Sequence, residues 1–252
     1  MYSDLRIRFD GVVRRGIRFR KRLDAIKRRH PEVQWYPYDS FANLFPVVGL
    51  LRSRGVTLAE LAGGSPVLDV GAGDGDLAFY LESLGYEVDA IDNSGTNMNR
   101  MLGARTLAAE LRSKARLLDF DLDSRFEMQR RYGLSLMLGV LYHLKNPFYA
   151  LEQAARCARY CILSTRVARW TPDHSVGLDA HPLAYLLDEA ETNNDKTNYW
   201  IFSPAGLDRL VSRCGWSTMA KEHVGSPASD PVHPGNDERV FLLMKSLIDP
   251  HP

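Results

Sequence analysis

Residues 66–92 read PVLDVGAGDGDLAFYLESLGYEVDAID, and the order of residue types in that stretch decides the fold. One apolar run ends at Val70 and a second at Asp92, each of the length of a buried strand, while LAFYLESL between them carries its apolar residues at helical spacing. Strand, turn, helix and strand in that order make a parallel βαβ unit. Ligands of open parallel sheets lie beyond the carboxyl ends of the strands, so the glycine turn is the first place to look for one. Gly71, Gly73 and Gly75 reach backbone angles closed to other residues and put no Cβ in the way of a ligand.

The turn excludes two common ligands. Counting G-x-G-x-x-G from Gly71 places Asp76 where the last glycine belongs, so the dinucleotide fingerprint fails by one position. No GK[ST] follows, which removes the lysine and hydroxyl that a triphosphate with magnesium requires. Asp69 stands two residues before the first glycine and Asp74 inside the turn, and carboxylates there repel phosphate but attract ammonium and sulfonium charges. Asp92, seventeen residues beyond Gly75, tips the second strand, where a carboxylate accepts hydrogen bonds from ribose hydroxyls. These residues describe a nucleoside with a cationic tail.

Outward from this unit the alternation continues to about Ser164 through a helix MNRMLGARTLAAEL, a strand ARLLDF, a strand GLSLMLGV, a helix PFYALEQAARCA and a strand YCILST. The tail adds a helix SPAGLDRLVSRCG and two strands, WSTMAKEHV and RVFLLMKSLI, that pair most simply as an antiparallel hairpin. The expected fold class is α/β, a doubly wound, mostly parallel seven-stranded sheet with an antiparallel closing hairpin behind an N-terminal helical cap. Residues 1–62 are expected to form that cap, a basic helical arm followed by an aromatic stretch and a helix over 47–62 that turns Leu50, Leu51 and Leu58 inward. Residues 63–252 form the ligand-binding domain, with an irregular, lid-like insertion at about 168–200.

The near-neutral formal charge of +1 conceals an asymmetry, because residues 1–30 carry +8 and the remainder −7. A basic arm suits phosphates of nucleic acid or of a phosphorylated substrate. Yet Leu5, Phe9, Val12 and Val13, then Phe19, Leu23 and Ile26, recur at helical spacing, which suits an apolar stripe docked on the body with the arginines left in water. Packing is the preferred reading. Three cysteines are too few for a disulfide framework, no run of apolar residues reaches membrane-spanning length, and the N-terminus lacks the apolar block of a signal peptide. A cytoplasmic protein without membrane attachment is expected. The histidines are scattered without metal-ligand spacing, so no metal site is expected.

The motif VLDVGAGDG, the acid-tipped strand VDAID and the closing hairpin resemble the class I S-adenosylmethionine-dependent methyltransferases, a Rossmann-like family. The resemblance implies S-adenosyl-L-methionine as cofactor, held by Asp69, Gly71, Ala72, Gly73, Asp74, Gly75, Asp92 and Asn93, with Gly139 beyond the fourth strand. It also implies an acid after the third strand that accepts from the adenine amino group beside an apolar neighbour. Asp119 and Asp121 both meet that description, with Phe120 or Leu122 as the neighbour, and spacing does not choose. After the fourth strand comes GVLYHLKNP, in which His143 is the candidate base for a hydroxyl acceptor and Tyr142 a candidate contact to substrate.

Within the class, GVLYHLKNPFYAL, NYWIFSPAGLDRLVSRCGW and WYPYDS resemble the group around the tRNA wobble-uridine carboxymethyltransferase and its small-molecule relatives. The tRNA enzyme's cofactor carries a carboxylate that calls for basic residues after the Tyr-His pair, and Leu144 precedes Lys145 here, which speaks against that cofactor. Trp35, Tyr36 and Tyr38, with Asn194, Asn198 and Trp200 of the insertion, are candidate contacts to a polar ring acceptor such as a sugar or a hydroxylated aromatic. The expected activity is methyl transfer to a small polar or secondary-metabolite acceptor, at oxygen. An RNA substrate and a catalytically silent binding domain are the alternatives.

Overall fold

The computed structural model describes residues 2–124 and 126–248, and side chains from residue 11 onward. The chain forms two compact units, Met1–Asp121 with Gln129–Leu136, and Leu122–Met128 with Met137–Pro252.

The first unit opens with α1 (Tyr2–Lys27), α2 (Leu44–Arg54) and α3 (Leu58–Ala62). It continues through β1 (Val67–Val70), α4 (Asp76–Ser83), β2 (Val88–Asp92), α5 (Leu102–Leu111) and β3 (Arg116–Asp119), and takes in most of β4 (Tyr132–Leu138). Its strands lie in the order β3-β2-β1-β4. β1 pairs in parallel with β2, and β2 with β3, in a register that sets Asp92 beside Asp119. All four residues of β1 are buried, as expected of an apolar run covered on both faces.

The second unit contains α6 (Pro147–Cys157), β5 (Ala158–Val167), β6 (Ala184–Leu186), β7 (Trp200–Phe202), α7 (Pro204–Arg213), β8 (Trp216–Gly225) and β9 (Glu238–Ser246). β8 and β9 form the expected antiparallel hairpin, and β9 lies antiparallel along β5 from Tyr160 to Val167. β7 pairs in parallel with the end of β5, and β6 antiparallel with β7.

Three details differ from the sequence reading. The expected helix over 47–62 is two helices, because Gly55 adopts a left-handed conformation (φ 65°) and Thr57 starts α3 in a reciprocal capping box with Glu60. The helix expected to begin at Met98 begins at Leu102, since Arg100 and Met101 both have positive φ and cannot continue a right-handed turn. The insertion is not wholly irregular. β6 within it, and β7 starting at its end, raise the strands to nine among the described residues, where seven were expected.

α1 packs through the predicted stripe. Leu23 and Ile26 are buried, the Phe19 ring lies 5.8 Å from that of Tyr80, and the Tyr80 hydroxyl donates to the Val12 carbonyl. Gly16 is buried on the same helix, where a Cβ would overlap the Leu44 side chain and touch Phe41 and Tyr80. Leu5 and Phe9 lie outside the described side chains.

Candidate functional site

In the first unit the glycine turn links β1 to α4. Gly71, Gly73 and Gly75 have φ of 72°, 60° and 80°, so each holds a conformation that disfavours a side chain, and Gly75 forms the N-cap of α4. The turn is tied to the neighbouring strand, since Gly71 and Ala72 donate to the Ile91 carbonyl and Gly73 N donates to Asp92 Oδ2 at 2.6 Å. Asp92 Oδ1 accepts from Asn93 N at 2.8 Å. The acid at the tip of β2 therefore braces the loop.

Four carboxylates gather here. Burial pushes the Asp69 carboxyl up to about 7, the Asp92 charge adds to that, and a hydrogen bond from Ala78 opposes it. Burial also raises Asp92, against hydrogen bonds from Gly73, Asn93 and Asn97. Asp74 faces protein donors, accepting from Tyr36 N at 2.7 Å and Asn99 Nδ2 at 2.7 Å. Lys27, in the last turn of α1, lies 2.8 Å from Asp76 and 3.6 Å from Asp74. The acids that press most on Asp69 are Asp92 and Asp76, so a cationic group brought to this loop would relieve a charge the fold leaves poorly compensated. That charge pattern and the glycine backbone fit a nucleoside with ammonium and sulfonium charges.

The aromatic stretch is part of this surface, residue by residue. The Trp35 indole N–H donates to the carbonyls of Lys27 and His30, both at 3.1 Å, and Lys27 Nζ lies 5.4 Å from its ring, so Trp35 closes the end of α1. The Tyr36 ring lies 3.7 Å from where a Cβ on Gly73 would stand, and so covers the loop itself. Tyr38 packs against Tyr36 with centroids 5.2 Å apart and is largely exposed. At the third strand, Asp119 accepts from Ser94 N at 2.9 Å and lies 3.9 Å from Arg105, Phe120 N donates to the Asp92 carbonyl, and Asp121 is exposed.

The second unit holds the other candidates. Gly139 has φ 87°, and a Cβ on it would lie 3.3 Å from Arg239 Nη1 and 3.6 Å from the Tyr142 hydroxyl. Arg239 Nη2 donates to that hydroxyl at 3.3 Å, and its guanidinium lies 5.7 Å from the Tyr142 ring. Arg166, opposite Arg239 in the β5–β9 register, donates to Asp237, which also pairs with Arg239 at 3.5 Å. A cation thus stands beside Tyr142 although the residues after the Tyr-His pair do not supply it.

His143 Nδ1 lies 3.1 Å from the Thr197 carbonyl and 3.0 Å from Thr197 Oγ1. Burial lowers its pKa, while Asp195 and the Thr197 carbonyl work in the opposite direction. Tyr199 N donates to the Tyr142 carbonyl at 2.8 Å, so the insertion is fastened to the Tyr-His pair. Asn198 is buried, donating to Asn193 at 3.0 Å, with its Oδ1 unpartnered. Asn194 is exposed on a turn with φ 54°, and the Trp200 indole donates to the Lys145 carbonyl at 3.3 Å.

Sequence reasoning missed Lys27, Asn99, Thr197, Asp195 and Arg239. Lys27 was one cation in a run of them, and Arg239 comes from a strand 97 residues beyond Tyr142. Asp195 and Thr197 did leave a signal, since D-x-T is an Asx-turn pattern, and Asp195 Oδ1 does accept from Thr197 N at 2.9 Å. Among the described residues no group of three or more His, Cys, Asp or Glu could hold a metal, and no helix is long and apolar enough to cross a membrane.

A βαβ unit whose glycine turn is ringed by acids, followed by a closing antiparallel hairpin, defines the class I S-adenosylmethionine-dependent methyltransferase fold. The sequence profile described as "Methyltransferase domain" matches residues 27–221, and the chain belongs to that family. No curated protein matches it in sequence. Among solved structures it is similar to the N-terminal domain of EvdMO1 with SAH bound, with a TM-score of 0.56 and 16% identity over 90% of this chain and 96% of that one. It covers 40% of the full EvdMO1 chain. It is similar to magnesium protoporphyrin IX methyltransferase (ChlM) from Synechocystis with bound SAM, with a TM-score of 0.50 and 18% identity over 80% and 77% of the two chains. It is also similar to the [4+2]-cyclase SpnF, with a TM-score of 0.54 and 13% identity over 86% and 87%. At such identities the likeness is one of fold.

Proposed function

We propose that this protein binds S-adenosyl-L-methionine on the glycine loop and transfers its methyl group to a hydroxyl of a small polar acceptor. The observation that carries the reading is the buried, under-compensated Asp69 beside the three left-handed glycines and Asp92. Asp92 would accept from the ribose hydroxyls and Tyr36 would cover the loop. Asp119, which ends β3, and Asp121, two residues beyond it, are both candidates for the adenine amino group. S-adenosylmethionine supplies a methyl carbon already activated by a sulfonium. The protein's own task is to orient the acceptor and receive its proton. His143, kept neutral near pH 7 by burial, suits proton acceptance, and Tyr142 with Arg239 offers polar contacts to the acceptor. A polar ring acceptor accords with the EvdMO1 domain having also been crystallised in the presence of SAH and D-fucose.

Two alternatives have specific support. The basic arm favours RNA, although Leu23 and Ile26 are buried and Arg20 and Arg29 pair with Asp39 and Glu110. The likeness to SpnF favours another reaction on the same fold, because fold alone does not fix chemistry. Titration calorimetry with SAH, the demethylated cofactor product, tests the central step. Micromolar or tighter binding is expected, and no binding would sink the proposal. Methylation of candidate acceptors at rising salt separates the substrates, since RNA affinity falls steeply with salt and affinity for a neutral small acceptor does not.

A further inference from the structure

His143 is the end of a three-residue chain. Its Nδ1 lies within hydrogen-bond distance of both the Thr197 carbonyl, at 3.1 Å, and Thr197 Oγ1, at 3.0 Å. A carbonyl oxygen only accepts, so that contact is a hydrogen bond only when Nδ1 carries the proton. Thr197 Oγ1 in turn donates to Asp195 Oδ1 at 2.6 Å, which leaves its lone pairs free to accept from the imidazole. Thr197 N donates to the same carboxylate oxygen at 2.9 Å and fixes the geometry of the link.

We propose that Asp195 and Thr197 are positioning residues that hold His143 as the tautomer protonated on Nδ1, leaving the lone pair on Nε2 as the basic atom. The logic is that of a base oriented by a carboxylate, with a threonine hydroxyl between the two. As the acceptor oxygen gains the methyl group and the C–S bonding pair stays on sulfur, His143 Nε2 takes the hydroxyl proton and later releases it to water. Asp195 stabilises the imidazolium formed, opposing burial and Arg239, which both disfavour it. The charged groups acting on the ring are Asp195 and Arg239, and Tyr142 packs against it with centroids 4.3 Å apart. What the base acts on rests on the methyltransferase reading, whereas the tautomer does not.

Imidazole ¹H–¹⁵N correlation spectra of the SAH-mixed protein, followed through a pH titration, test the link. Wild-type His143 should show its proton on Nδ1. Asp195→Asn should move the His143 midpoint toward acid by about tenfold in proton concentration, because an opposite charge is lost. Thr197→Val should act in the same direction, and Thr197→Ser should restore the wild-type midpoint. In turnover the acid limb of the pH profile should move with the midpoint, with kcat lowered and KM unchanged. A proton on Nε2 in the wild type, or a midpoint unmoved by both Asp195→Asn and Thr197→Val, overturns the proposal. Should Asp195→Asn not fold, the wild-type tautomer and the Thr197 pair still decide it. Calorimetry on the same samples keeps the two claims apart, since absent SAH binding defeats the methyltransferase reading and leaves the tautomer result standing.

Discussion

At the scale of single residues, the glycine loop shows what a carboxylate does when the fold gives it little positive company. The Asp69 carboxyl is raised from 3.8 to about 7, chiefly by burial. The folded protein therefore holds a proton there that the unfolded chain releases, so Asp69's contribution to stability is full below about pH 4 and is lost as pH rises through about 7. Asp69→Asn should raise the melting temperature at about pH 8, by an amount corresponding to as much as roughly 4 kcal/mol, and change little at about pH 4. Equal effects at both pH values would show that Asp69 does not titrate between them. Asp92→Ala should weaken SAH binding by about 1.5–3 kcal/mol or more in calorimetry, since charged acceptors are worth that much and Gly73 N loses its brace as well. The roles of Asp69 and Asp92 were proposed from sequence because strand ends and glycines mark positions along the chain. Asp74 was read as facing the ligand. Its contacts to Tyr36 and Asn99 come from residues 38 and 25 positions away, and no local pattern announces them.

At the scale of elements, α1 is both a packed helix and a clamp on the loop. Leu23→Ala should cost roughly 2–5 kcal/mol of stability, as emptying a buried site does. Changing Arg14, Arg15, Arg28 and Arg29 together to glutamine should leave the melting temperature and SAH affinity almost unchanged, since exposed charges contribute little. A larger loss from the arginine set than from Leu23→Ala would make the arm an electrostatic device. Lys27→Met removes the cation beside Asp74 and Asp76 and should cost about 3–5 kcal/mol. Burial already raises Asp76 and Lys27 opposes it, so the deficit in thermal melts should be largest near neutral pH and shrink in acid as the carboxyl takes a proton. The strands and helices from β1 to β5 were legible because short apolar runs alternate there with segments of helical spacing over one continuous tract. The break between α2 and α3 hung on Gly55 and Thr57 alone, and β6 and β7 are three residues each, too short to show a period.

At the scale of the whole molecule, the family was legible because VLDVGAGDG and VDAID are contiguous, whereas the acceptor candidates are assembled from separate tracts around Tyr142, Thr197 and Arg239. The two compact units are not consecutive lengths of chain. Residues 122–128 belong with the second unit, 129–136 return to the first, and β4 begins in one unit and ends in the other. No single cut in the gene separates the two units intact, and no single crossover between related genes exchanges one of them whole. The two units are therefore inherited as a pair, and a change confined to one of them has to arise within its own segments of the chain.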